Sequence, residues 1–499
     1  MVVLRTLARL QSALFGHKQS LSGTGASGAN WPTSLSTLYG WPPPKLDPSR
    51  DTAWLDGLRG VAAFLVMTYH YHLEWWGFYL EAPYGAIEDQ SWQIWRLPFL
   101  RIPMCSGHTQ VSVFFVLSGF VLSWSPIGSI RRGQHEKMAN TLASATFRRW
   151  IRLYLPCFLI GLISVAEIRL RIIELPIGRK ETLIEQLWDY LLACERFSDP
   201  LYIDRQEREF LHDYNWTMWT IPHEFGGSLL VFLIVLGVAR IPDYRRRTLA
   251  IGSIVLYALI RARWTYWLFS YGVLLADYIR ERGSFITLTS RRAKLIWTSI
   301  FVLGLWLAGI PERSPFYTKP GYMFLDPLTP PNWREIEAGG RFWWCWAGIL
   351  LVTSCCHLLP LRRVFEQPLM RYLGRVSYML YVTHRIVYEV FGRHYRKWLS
   401  TMLMSKKYSE ELQAEYYTAS APIAIMVFIV SWVVLCPVAI FVAHWCEVFV
   451  DGPSVKFAKW VDQGFVKGWS QGGAGTQAAE MVHLTATHDA RREEEGRLA

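Results

Sequence analysis

WLDGLRGVAAFLVMTYH, residues 54–70, decides how this chain is to be read. It sets Asp56, Arg59 and His70 into an otherwise apolar run with the composition of a membrane-spanning helix. Arg59 and His70 are eleven residues apart, about three turns at 3.6 residues per turn, so their side chains share one stripe roughly 16 Å apart along the axis. An ionisable group at bilayer depth costs on the order of 2.5–3.5 kcal/mol on insertion scales, and such groups face protein or a water-filled cavity. That cost makes the stripe a candidate functional site.

Working outward, similar apolar stretches recur along the chain. Of the 499 residues, 52% are hydrophobic and 18% charged, and 25 are tryptophan, which is a membrane composition rather than that of soluble domains. The expected fold is all-α, a polytopic bundle of ten transmembrane helices at about 55–79, 109–126, 150–168, 216–239, 249–260, 264–279, 295–310, 342–359, 372–391 and 421–446. The fifth, a dozen residues long, falls short of the roughly 17 that a spanning helix needs. Trp216, Trp219, Trp264, Trp267, Trp343 and Trp344 sit at the ends of these runs, where amphipathic rings meet the headgroups.

The net charge of +12 is divided among alternate loops, so it reads as a positive-inside bias and not as a nucleic-acid surface. Arg131, Arg132, Lys137, Arg148 and Arg149 mark one cytosolic loop, Arg240 and Arg245–Arg247 another, and Arg280, Arg282, Arg291, Arg292 and Lys294 a third. Acids including Asp204, Glu207, Glu209 and Asp213 place the third loop on the outer side, while Lys406 and Lys407 in the ninth loop run against the rule. No secretory signal is evident, and the expected domains are a disordered cytosolic tail at 1–53, a transmembrane domain at 54–460 and a disordered tail at 461–499. An N-terminal tail lacking acids before residue 47 is also compatible with a mitochondrial presequence. The eight cysteines form no CxxC pair, so neither a disulfide framework nor a metal site is expected, and no P-loop or dinucleotide fingerprint occurs.

Five further clusters set polar residues into apolar sequence. GHTQVSVFFVLSGF (107–120) carries His108, which packs or lines a cavity mouth, and Ser118 and Gly119, small residues that let helices approach closely. FRRWIRLYLP (147–156) places Arg149 and Arg152 three apart on one side of a helix. They serve either topology or a phosphorylated ligand, which guanidinium groups grip bidentately. NWTMWTIPHEF (215–225) sets Glu224 in the first turns of an apolar segment, where it is either paired or suited to acid/base work. LGRVSYMLYVTH (373–384) puts Ser377, Tyr381 and His384 at i, i+4 and i+7 on one stripe, facing the bundle interior to bond or to react. HWCEVFVDGP (444–453) brings Glu447, an interfacial or a working carboxylate. In the third loop, residues 181–197 read as an amphipathic helix lying on the membrane or over the bundle.

In their order and spacing these motifs resemble the acyltransferase 3 family of integral membrane acyltransferases, over residues 54–456, and the aromatic-rich style is similar to that of fungal members. The resemblance implies transfer of an acyl group, acetyl or another short acyl, from acyl-CoA to a hydroxyl of a small acceptor such as a secondary metabolite, sugar or lipid. Carried over residue by residue, it implies that Arg59, His70 and Glu224 belong to the catalytic centre and that Arg149 and Arg152 hold the donor. Asp56, His108, Ser377, Tyr381 and His384 are expected to line the site. In the expected chemistry His70 takes the acceptor's proton, and Glu224 or Arg59 orients its ring or stabilises charge. Acyl-CoA enters as co-substrate with no bound cofactor, the partners are the acceptor and the bilayer, and no nucleic acid is expected. The competing reading is a multi-pass transporter or proton-coupled carrier, since such proteins also bury Arg, His and Glu.

Overall fold

A computed structural model describes residues 39–41, 43, 51–76, 83–85, 94–173, 177–200, 212–312, 319–404 and 421–467. Most of both expected tails lies outside these residues, as do 77–79 of the first span, Asp204, Glu207, Glu209, Lys406 and Lys407. Among the described residues the chain is all-helical. The main helices are α1 (Ala53–Trp76), α2 (Gly107–Arg131), α3 (His135–Arg169), α4 (Leu183–Ser198), α5 (Thr220–Val238), α6 (Tyr244–Ile260), α7 (Trp264–Glu281), α8 (Arg291–Ala308), α9 (Gly340–His357), α10 (Pro368–Val387), α11 (Arg393–Met404), α12 (Ala421–Cys446) and α13 (Gly452–Lys467).

By length and apolarity alone, four stretches are able to cross a membrane: Gly107–Arg131, His135–Arg169, Trp216–Val238 and Ile429–Val466. A fifth is the pair Glu337–His357 and Leu359–Phe365, which bends by 101°. Each of the ten expected stretches overlaps a helix; α6, with 17 residues, is too short for this test, and others miss it on hydropathy. Helices such as α1 and α10 carry Arg59, His70, Arg375 and His384 inward, so their mean hydropathy falls while their packing is retained.

Several boundaries move. The short fifth stretch starts earlier than 249, at Tyr244, because Asp243 caps it by accepting the Arg246 N–H at 2.8 Å. Arg247, expected in a loop, is buried there and grips Asp277 through Nε and Nη2 at 2.9–3.2 Å. The helix expected in the third loop is α4, opened by a reciprocal capping box between Thr182 and Glu185. Its Tyr190, Ala193, Cys194 and Phe197 are buried while Ile184, Trp188 and Leu191 are exposed. At the C-terminal end, α13 runs to Lys467, past the boundary expected at 460. Tyr39–Trp41, within the segment expected as a tail, pack on α10: the Tyr39 carbonyl accepts from Tyr372 Oη at 2.7 Å, and Trp41 meets the Tyr372 ring edge-on.

Two glycine crossings set the register of the bundle. A Cβ on Gly60 of α1 would lie 2.2 Å from the Gly374 nitrogen of α10, and one on Gly374 would lie 2.2 Å from the Asp56 carbonyl. The backbones of α1 and α10 therefore touch, running parallel. Gly119 of α2 and Gly272 of α7 do the same against the Phe269 and Val116 carbonyls. The apolar interior falls into two main clusters, one centred on α2, α5, α7 and α9 and the other on α1, α3, α10 and α12, with Phe114 and Leu229 packed against both. The polar site lies where these clusters meet.

Candidate active site

A cavity of about 260 Å³ opens between α1, α2, α3, α5 and α10 and the turn Glu447–Asp451. It gathers polar residues from six separate motifs. Asp56, Arg59, Arg149, Arg152, Glu224, Ser377 and Tyr381, all expected at the site, line it. Arg59 donates through Nε to Ser377 Oγ at 3.1 Å and through Nη2 to the Gly374 carbonyl at 3.1 Å, and lies 3.4 Å from Asp56. Arg149 meets Glu224 at 2.5 Å and donates from Nε to Ser228 Oγ at 2.8 Å. Glu224 also accepts from Ser118 Oγ at 2.7 Å. Its burial is therefore offset by a paired guanidinium and a hydroxyl.

Ser118, read as a packing residue, is thus a site residue, while its neighbour Gly119 does the packing. Four more polar wall residues were not singled out from the sequence: Thr220, Arg375, Tyr378 and Asp451. Asp451 stands one turn beyond Glu447 in the motif already quoted. Glu447 itself is taken up by Arg375 at 3.0 Å, so the following acid, not the closing glutamate, reaches the cavity. The i, i+4 spacing of the two carboxylates was the available signal.

Two hydroxyls of the cavity wall are paired with each other. Thr220 Oγ1 donates to Tyr381 Oη at 2.7 Å, and Tyr381 Oη donates to the Thr217 carbonyl. One turn further along α10 is His384, its ring centre 6.2 Å from that of Tyr381. There it meets His70: His70 Nδ1 and His384 Nε2 are 2.7 Å apart, with the rings nearly parallel at 7°. The Trp216 ring packs edge-on against His70 at 5.2 Å. Tyr71 Oη donates to the His384 carbonyl at 3.1 Å, and Asn215 Nδ2 to that of Val382 at 3.1 Å, which pins this part of α10 just before the π turn Tyr388–Gly392.

The stripe of Ser377, Tyr381 and His384 is therefore real, and each member meets a different expected or neighbouring site residue. Neither Glu224 nor Arg59 bonds to the His70 ring: Glu224 is held by Arg149 and Ser118, and Arg59 by Ser377 and the Gly374 carbonyl. His384 is the ring's partner instead.

His108 does not line the cavity. It stacks on Trp344 at 4.4 Å and lies 3.3 Å from Glu312 and 3.9 Å from Glu337. Tyr69, next to His70, donates to Glu312, and Arg341 pairs with Glu337. Glu312 sits in the turn after α8. Burial there raises its pKa, but the hydrogen bonds from His108 and Tyr69 and the charges of His108 and Arg341 outweigh it and hold the carboxyl at about 2. His223, beside Glu224 in sequence, points away among Trp219, Trp264 and Phe115.

Comparison with known proteins gives the family. A family model described as an acyltransferase domain matches residues 52–445. The chain belongs to the acyltransferase 3 family. It is an enzyme that transfers acyl groups, and it carries the apolar helices of this membrane-associated family. An O-acetyltransferase, PaAT-1, of Phomopsis amygdali is 25% identical over 458 residues, covering 85% of this chain and 86% of its own. Acyltransferase R4 of a Phoma species is 23% identical over 419 residues, covering 70% and 86%. Acyltransferase clz18 of Cochliobolus lunatus is 21% identical over 411 residues, covering 70% and 85%. No solved structure matches.

Proposed function

We propose that this acyltransferase is a multi-pass membrane enzyme of ten spans that moves a short acyl group from acyl-CoA to a hydroxyl of a small acceptor. The observation that carries the reading is the convergence of Arg59, Arg149 and Arg152 on one cavity whose wall residue Tyr381 packs against His384, the partner of His70. Coenzyme A carries several phosphates on one end and its thioester at the tip of a narrow arm. Permanently charged guanidinium groups suit the first. The cavity's 260 Å³ lies just below the range of ligand pockets, about 300 to 1,000 Å³, and suits the second. Among the spans beyond the four apolar ones, α1 and α10 turn Asp56, Arg59 and Arg375 to this cavity, and α6 and α7 bury their Arg247 and Asp277 as a pair.

The chemistry balances without another reactant. The imidazole of His70 takes the proton of the acceptor hydroxyl as its oxygen attacks the thioester carbonyl. The carbon–sulfur bond then breaks, and the departing thiolate takes the proton back from His70, leaving an ester and free coenzyme A. An O-acetyl ester is the product that the relative named an O-acetyltransferase favours; secondary metabolites, sugars and lipids are the acceptors to compare.

His70→Ala tests the assignment. The variant inserts and binds the donor, but release of coenzyme A thiol from acetyl-CoA in the presence of the host's hydroxylated metabolites falls on the order of 10²–10⁴-fold, the usual contribution of a general base. Ordinary turnover in that variant removes His70 from the chemistry. Disrupting the gene in the host and comparing metabolites by mass spectrometry identifies the acceptor, as a species lighter than the lost product by one acyl increment. No such pair of masses overturns the acceptor class.

A further inference from the structure

We infer that His384 is a positioning residue that fixes the tautomer of His70, so that His70 carries its proton on Nδ1 and presents Nε2 as the base. The inference rests on the acyltransfer reading for its consequence, but its own argument is one of hydrogen-bond chemistry. His384 Nδ1 lies 3.1 Å from the Leu380 carbonyl oxygen. A carbonyl only accepts, so that nitrogen holds a proton. A neutral imidazole has one N–H, which leaves His384 Nε2 with a lone pair. The 2.7 Å contact between that nitrogen and His70 Nδ1 then requires His70 to donate. His70 Nε2 is left without a proton, ready to take one from a hydroxyl.

The alternative is a doubly protonated His384. It would place a cation in a site with no solvent exposure, directly beside the Arg385 guanidinium, which itself stacks over Trp216. The fold holds the neutral arrangement from both sides. The Gly60–Gly374 crossing brings α1 against α10, and Tyr71 and Asn215 fix the carbonyls of His384 and Val382. His384 thus does for His70 what a buried carboxylate does for the histidine of a serine hydrolase triad, holding the ring and selecting the tautomer, but without adding a negative charge at membrane depth.

Nitrogen-15 NMR of histidine-labelled protein reads the tautomer directly, with His70 assigned by its loss in His70→Asn. The expected result is a protonated Nδ1 and a bare Nε2 on His70, and a mixture of both tautomers in His384→Phe. A protonated Nε2 on His70 in the unmodified protein overturns the inference. Turnover gives a second measure. His384→Gln places a side-chain carbonyl where His384 Nε2 stood and retains activity within about tenfold, whereas His384→Phe loses on the order of 10²–10⁴-fold in kcat with the KM for acetyl-CoA unchanged. Equal rates for the Gln and Phe variants overturn it as well. The NMR arm needs no substrate, so a failure of the dyad is distinguishable from a failure of the acyltransfer reading.

Discussion

Arg149 and Arg152 project from one side of α3 into the cavity, yet they stand in different company. Arg149 is clamped by Glu224 and Ser228, whereas Arg152 shares its wall with Asp451. Each cation thus has a carboxylate near it that an incoming phosphate would have to rival. If both arginines act on the donor before any bond changes, replacing them removes ground-state and transition-state binding alike. Arg149→Ala with Arg152→Ala should then raise the KM for acetyl-CoA by more than it lowers kcat. Steady-state kinetics over a donor series checks this, and a fall in kcat at unchanged KM would assign them to the transition state. At this scale the sequence named most of the residues, since a charge in an apolar run is visible without coordinates. It did not name their partners: that His70 meets His384, and that Glu224 meets Arg149 and Ser118, depends on contacts between residues 75 to 314 apart in the chain.

Among the elements, the contact of α1 with α10 matters most, because it sets Arg59 against Ser377 at one level and His70 against His384 at another. That contact exists only while neither Gly60 nor Gly374 has a side chain. Gly60→Leu should cost at least about 1–3 kcal/mol through overpacking, and by separating the two histidines it should lower turnover on the order of 10²-fold, as a 1 Å misplacement can. Gly226→Ala on α5, where an added Cβ meets nothing within 4 Å, should leave both unchanged. Thermal melts in detergent and initial rates on the two variants check the pair. Apolar periodicity located these helices, but their ends followed capping and ion pairing. Asp243 and the buried Arg247–Asp277 pair start α6 five residues before the apolar run, because a charge with a fitted partner need not stay in a loop.

For the whole molecule, Arg59, Arg149 and Arg152 line the cavity while His70 stands eleven residues further along α1; on the proposed topology the basic loops put the arginine end in the cytosol. An impermeant donor should therefore reach the site from one side only. In sealed vesicles with the cytosolic face outward, added acetyl-CoA should be consumed without detergent, and vesicles of the opposite orientation should need permeabilising; equal rates in both would place the donor mouth elsewhere. The sequence by itself determined that the chain is an all-helical membrane protein, and which ionisable residues are too costly to bury without a purpose, because hydropathy and the price of a buried charge are properties of short stretches. The tertiary structure alone decided that Arg59 and Glu224 belong to the cavity and not to the imidazole, that Asp451 joins them, and that His384 holds His70. Those outcomes follow from which backbones approach closely enough to touch, and two glycines more than 300 residues apart set that approach.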